Sequence, residues 1–153
     1  MKPNQKNQKA ESEMVVIDAK DVILGRMCAK AAKLLLLGKT VSMVNAEQAA
    51  MSGKLFVAKE KYLHRLTQKH KADPNRSPKW PKEPAMLVKR ILRGMLPYRS
   101  QRGRDAYKRL RIYEGVPPEL ENAKKIRYDD FDASRQDRRF SILSLCRELG
   151  FNG

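Results

Sequence analysis

The amino-acid sequence predicts an α/β fold built on parallel strands, and three observations carry that prediction. Met14-Val15-Val16-Ile17-Asp18-Ala19 is a short, β-branched, almost wholly apolar run. From Leu24 onward, apolar residues fall at helical spacing, and Thr40-Val41-Ser42-Met43-Val44 then forms a second β-branched run. Strand, helix and strand within about 30 residues is the size of a right-handed βαβ unit, whose two strands are parallel.

Each element follows from local chemistry. Residues 1–13 are polar, with only Met1 and Ala10 apolar, so ordering them would bury little and they read as a tail. The first helix places Leu24, Met27, Cys28, Ala31, Leu34 and Leu35 on one side and Arg26, Lys30 and Lys33 on the other, and Gly38 stops it. A second helix is expected from Leu55 to Gln68, with Phe56, Leu63 and Leu66 inward and Lys59, Lys61, Arg65 and Lys69 outward or flanking. Pro74, Pro78, Pro81 and Pro84 then exclude helix over 73–84 and favour an extended basic loop. Pro84 can open a third helix whose apolar face is Leu87, Val88, Ile91, Leu92, Met95 and Leu96, and Pro97 ends it. Leu110-Arg111-Ile112-Tyr113 alternates and reads as an edge strand before the Gly115-Val116-Pro117-Pro118 turn. Ser134, with Asp137 three residues on, reads as a capping box for a last helix carrying Ile142, Leu143, Cys146 and Leu149 and closed by Gly150. No internal repeat is visible.

Charge narrows the function. The 153 residues hold 33 Lys+Arg against 17 Asp+Glu, a formal charge of +16 and a pI near 10.1, which calls for a polyanionic partner. Apolar runs stay far below the ~18 residues of a membrane span. The N-terminus also lacks the apolar region of a signal peptide, so a cytoplasmic location is expected. Cys28 and Cys146 sit among helical apolar positions and should be reduced packing residues without a disulfide.

The positive charge is regional. Residues 54–82 hold nine Lys+Arg against two acids and residues 86–112 hold nine against one, whereas residues 113–123 contain Glu114, Glu119 and Glu121 and no base. The densest stretch runs from Arg90 to Arg104 and favours Arg, whose planar guanidinium can clasp a phosphate with two hydrogen bonds or stack on a base. Gly94 and Gly103 would let backbone approach a phosphate, or they serve ordinary turns. Tyr98 and Tyr107 either stack on bases or pack half-buried, and Trp80 either stacks on a base or pins the loop.

Enzymatic motifs do not assemble. Leu37-Gly38-Lys39-Thr40 resembles the end of a P-loop, but Lys33 stands where that motif needs a Gly, and a helix precedes it instead of a strand. His64 and His70 are six residues apart with no companion ligands, and Asp129, Asp130 and Asp132 lack the Gly and Glu of a calcium loop, so no metal or other cofactor is expected. The remaining enzyme reading is a small RNA-modifying enzyme using Asp18, Asn45 and Glu47 at parallel-strand ends. Those residues are equally common in turns and caps, and no catalytic base with an orienting partner accompanies them.

Several strings then occur in a telling order: Ile17-Asp18-Ala19, Leu24-Gly25-Arg26, Leu36-Leu37-Gly38-Lys39, Val44-Asn45-Ala46-Glu47, Ser52-Gly53, Arg93-Gly94-Met95-Leu96-Pro97 and Gly115-Val116-Pro117. Over residues 14 to about 120 the chain resembles the universal ribosomal large-subunit protein 13 family, most specifically at Arg93–Pro97 followed by Arg102-Gly103. The loop after Tyr62 and the segment Leu143 to Phe151 resemble the archaeal branch. The resemblance implies a three-layer α/β/α domain around a small, about four-stranded, mostly parallel sheet, with basic loops and terminal extensions. It implies an rRNA-binding core at 14–120, with the basic loop 73–84 and the Arg-rich segment 89–111; the polar tail at 1–13 is extra to the family, and 121–153 is an extension ending in a helix. It also implies a structural, non-catalytic constituent of the large ribosomal subunit, with rRNA and neighbouring ribosomal proteins as partners and no small-molecule substrate.

Within it, Arg93, Arg99, Arg102 and Arg104 are the first candidates for phosphate contact. Lys79, Lys82, Arg90 and Lys108 come next, with Trp80 and Tyr98 as stacking candidates. Converting Arg99, Arg102 and Arg104 together to Ala is expected to weaken rRNA binding with the thermal midpoint nearly unchanged.

Overall fold

The computed structural model describes residues 14–152, so the tail expected at 1–13 lies outside the described residues. β1 (Met14–Asp18) and β2 (Thr40–Val44) pair in parallel from Met14 opposite Thr40 to Asp18 opposite Val44, joined by α1 (Leu24–Leu36) as the βαβ reading expects. β4 (Leu110–Ile112) adds in parallel beside β2 and β5 (Lys125–Ile126) beside β1, giving a four-stranded parallel sheet of order β4-β2-β1-β5. The expected edge strand is therefore at an edge.

Strand alternation sorts the core into layers. Val15, Ile17, Val41 and Met43 join one large buried cluster with side chains from α1, from α2 (Leu55–Thr67), α3 (Pro84–Gly94), α4 (Gln101–Lys108) and α5 (Ile142–Glu148). Val16 and Val44 belong to a second cluster with Leu120, flanked by Tyr113, Val116 and Ala123. Helices, sheet and a thin layer around the 3-10 turn Pro118–Leu120 thus make three layers.

Two helices end in the same motif. At Gly38 (φ +95°) the N–H donates to the Leu35 carbonyl and Lys39 N–H to that of Leu34, while at Gly150 (φ +88°) the N–H donates to Arg147 and Phe151 N–H to Cys146. These are Schellman closures, which need a left-handed residue and hence favour glycine. Cys28 and Cys146 are free and buried, and burial pushes the Cys28 thiol up to about 12.

Several expectations are corrected. On α2, Phe56 (73% exposed) and Leu63 (39% exposed) face outward, and the inward row is Leu55, Ala58, Tyr62 and Leu66. Tyr62, edge-on to Trp80, sets the helix's rotation, a contact supplied from outside the helix. Met95, expected inward, is 40% exposed just past the end of α3, and the segment after Pro97, to which the sequence pattern assigns no element, contains a helix, α4. The loop over 73–84 holds one 3-10 turn, Pro74–Arg76, because Pro74 sits at its first position and the Asp73 carboxylate accepts from Asn75 N–H. The last helix starts at Ile142 with Ser141 as its cap, whereas the Ser134 N–H is taken by the Asp132 carboxylate at 2.8 Å in a separate 3-10 turn.

Two short strands leave no periodic signal in the sequence. β3 (Ala50–Ser52) pairs antiparallel with β6 (Arg139–Ser141), and three residues are too few for periodicity to register. Residues 121–152 therefore give the fold a sheet strand, an antiparallel partner for β3 and the buried side chains of Ile142, Leu145, Cys146 and Leu149. Among the described residues no helix is long and apolar enough to cross a membrane.

Candidate nucleic-acid interface

α3 buries Leu87, Val88 and Leu92, which turns Lys89, Arg90 and Arg93 toward the surface. Past Gly94 the chain turns, since Pro97 has no N–H to continue a helix. Ser100 starts α4: its Oγ donates to the Pro97 carbonyl at 2.8 Å and accepts from Gly103 N–H at 3.2 Å. Gly103 lies against the turn so closely that a Cβ there would be 2.1 Å from the Pro97 carbonyl oxygen. Its glycine thus serves a contact within the protein, which corrects the phosphate-approach reading. Gly94 faces open space.

The turn between α3 and α4 and the Pro-rich loop meet on one face. One concavity is lined by Arg90, Arg93, Gly94, Tyr98 and Arg99, and an adjoining one of about 330 Å³ by Lys79, Trp80, Arg90, Arg93 and Tyr107. They share Arg90 and Arg93, and no carboxylate lines either. Opposed acids would cancel the field of these cations, so the face keeps an uncompensated positive potential.

Aromatic rings hold the cations in place. The Arg93 guanidinium lies 4.0 Å from the Tyr98 ring centroid, and Tyr98 meets Tyr107 edge-on at 5.4 Å. Burial pushes the Tyr107 phenol up, with Arg93 opposing, so the phenol is neutral and able to donate at physiological pH. Trp80 is partly buried against the core and meets Tyr62 edge-on at 6.1 Å, with Arg65 at 4.6 Å and Arg90 at 4.9 Å over its ring. That packing pins the Pro-rich loop to α2 and α3.

Six of the ten expected residues, Lys79, Trp80, Arg90, Arg93, Tyr98 and Arg99, line these concavities, and four do not. Arg102 donates to the Leu36 carbonyl at 3.3 Å, and Arg104 to the Arg99 carbonyl at 2.9 Å and Gln101 Oε1 at 2.8 Å. Lys108 pairs with Asp105 at 3.8 Å, and Lys82 is exposed beside Gly150. Arg109, not among the candidates, donates to the Leu35 carbonyl at 2.8 Å, so with Arg102 it satisfies carbonyls at the end of α1. The helical spacing marks Arg65 only as an outward or flanking cation. Only the docking of the loop on α2 brings it over Trp80, and nothing local announces that.

The strand-end carboxylates are engaged in holding loops. Asp18 Oδ1 accepts from Asn45 Nδ2 at 2.9 Å and from Lys20 N–H at 3.0 Å. Glu47 Oε2 accepts from Gly115 N–H at 3.0 Å, and Asn45, at φ +56°, is itself part of the turn. Among the described residues no group of His, Cys, Asp or Glu could hold a metal ion.

Known proteins resemble this sequence over most of its length. The family model described as "Ribosomal protein L13" matches residues 12–119. A protein named "Large ribosomal subunit protein uL13" from Archaeoglobus fulgidus is 39% identical over 144 residues, covering 92% of this chain and 90% of that protein. Its namesake from Sulfolobus acidocaldarius is 41% identical over 143 residues, covering 92% and 96%. A third, from Aeropyrum pernix, is 39% identical over 145 residues, covering 94% of each. The chain therefore belongs to the ribosomal protein L13 family, a family of structural, non-enzymatic ribosome components.

Proposed function

We propose that this protein is a structural constituent of the large ribosomal subunit that grips large-subunit rRNA with the face formed by the turn between α3 and α4 and the Pro-rich loop. The observation that carries this reading is the convergence of Lys79, Arg90, Arg93 and Arg99 around two adjoining concavities without a carboxylate. Arginines can clasp phosphate oxygens in pairs of hydrogen bonds, and each neutralised phosphate releases counterions, so binding is strong at low salt and falls as salt rises. The face reads RNA shape and backbone, because a guanidinium meeting phosphate carries no base identity. Arg102, Arg104, Lys108 and Lys82 add to the surrounding field. Membership of the ribosomal particle, in the cytoplasm beside neighbouring ribosomal proteins, follows from the same reading.

The side chains of Arg99 and Lys79 are exposed and make no hydrogen bond or ion pair among the described residues, so substituting them disturbs the fold little. The test is the salt dependence of rRNA binding. Each lost phosphate contact should reduce the slope of log K against log salt by about 0.7 to 0.9. The double variant Lys79→Ala/Arg99→Ala should therefore show a slope shallower by about 1.4 to 1.8 with a nearly unchanged melting midpoint. A wild-type slope in a folded double variant would remove this face from the interface.

A further inference from the structure

A second basic cleft, of about 530 Å³, opens where the start of α1, the strand β3 and the helix α2 come together. Arg26, Lys61 and Arg65 line it, Leu24, Met51 and Ile91 form apolar wall, and no carboxylate is among the lining residues. We propose that this cleft holds a second phosphate-bearing segment of large-subunit rRNA, with Arg26 and Lys61 as its phosphate contacts. The proposal rests on the rRNA-binding reading above and adds a separate site to it.

Three observations carry the assignment. First, the charge is uncompensated: the side chains of Arg26 and Lys61 are exposed and make no hydrogen bond or ion pair among the described residues. On the same helix, Lys59 is neutralised by Glu148 at 2.5 Å, so the contrast is local. Second, the wall is apolar, and a cleft of one sign with low-dielectric walls focuses its field on whatever enters. Third, the cleft is continuous with the first face. Arg65 lines the second cleft and lies over Trp80, Arg90 lies over the same ring and lines the first concavities, and Ile91, the next residue of α3, walls the second cleft.

A long polyanion is the occupant such a layout suits. Two cationic clefts joined through an Arg65, Trp80 and Arg90 stack form a track, and a folded RNA presents phosphates along a path instead of at one point. A free phosphate ion shares the local chemistry, and the experiment separates the two.

The test is hydroxyl-radical footprinting of the full chain on large-subunit rRNA, comparing wild type, Arg26→Ala/Lys61→Ala and Arg93→Ala/Arg99→Ala. The expected result is that each double variant loses a different protected stretch, and that Arg26→Ala/Lys61→Ala lowers the salt slope by about 1.4 to 1.8. Melting curves show whether each variant is folded before its footprint is read. If Arg26→Ala/Lys61→Ala keeps the whole footprint and slope while Arg93→Ala/Arg99→Ala does not, the second site is overturned and the first stands. If neither variant changes anything, the rRNA reading falls with both sites. If Arg26→Ala/Lys61→Ala keeps the footprint but loses a melting-temperature rise that inorganic phosphate gives over chloride at equal ionic strength, the cleft takes free phosphate, and the rRNA assignment is overturned.

Discussion

Gly103 has no room for a methyl group. A Cβ there would sit 2.1 Å from the Pro97 carbonyl oxygen and 2.4 Å from its carbon, both backbone atoms that move only if the turn moves. Gly103→Ala should therefore destabilise the protein by about 2 to 3 kcal/mol, read as a lower denaturant midpoint with an unchanged slope. A loss under about 0.5 kcal/mol would show that α4 does not pack on the turn as described. The Arg-Gly string was visible in the sequence as a basic, glycine-containing segment, and its bias toward arginine pointed to phosphate. Which guanidiniums stay available was not visible. Arg102 donates to the Leu36 carbonyl and Arg104 to that of Arg99, and the first of these bonds joins residues 66 positions apart. The expectation that replacing Arg99, Arg102 and Arg104 together leaves the melting midpoint nearly unchanged is accordingly weakened for Arg102 and Arg104 and kept for Arg99.

Helices were legible in proportion to their length and the regularity of their apolar face. α1 and α3 combine a continuous apolar row with clear stops at Gly38 and Pro97, and both lie where the pattern puts them. The pattern locates α2 along the chain but does not fix its rotation about its axis. Its residues offer two competing rows, Phe56 with Leu63 and Leu55 with Ala58, Tyr62 and Leu66, and the packing of Trp80 on Tyr62 favours the second. α4 has eight residues and few apolar ones, so the Ser100 cap was its main local mark. The start of α5 offers a direct test of helix capping. Ser141 Oγ accepts from Ser144 N–H at 3.1 Å, so Ser141→Ala should lose about 1 kcal/mol of stability. Ser134→Ala, at an exposed position outside any α-helix, should change stability by less than about 0.5 kcal/mol. The opposite ranking in equilibrium unfolding would restore the earlier helix start.

At the scale of the whole molecule, a buried parallel sheet provides a rigid base from which α3, its turn and the Pro-rich loop display cations. The βαβ unit was legible because its strands and crossover are contiguous in sequence. The pairing of β3 with β6 was not, because Ala50 and Ser141 meet across about ninety intervening residues and each strand is only three residues long. The basic face is legible as a charge imbalance over 54–112, but its carboxylate-free concavities arise only when the loop folds back onto α2 and α3. A net charge of +16 also makes the isolated chain self-repelling, which a polyanionic partner relieves. The central claim is that this partner is the large ribosomal subunit. It is tested most directly by sedimenting a native lysate through a sucrose gradient, before and after a high-salt wash, and quantifying the chain by mass spectrometry. The account predicts near one copy per large subunit, retained through the wash. Recovery of the chain in light fractions, free of large subunits before the wash, would contradict it.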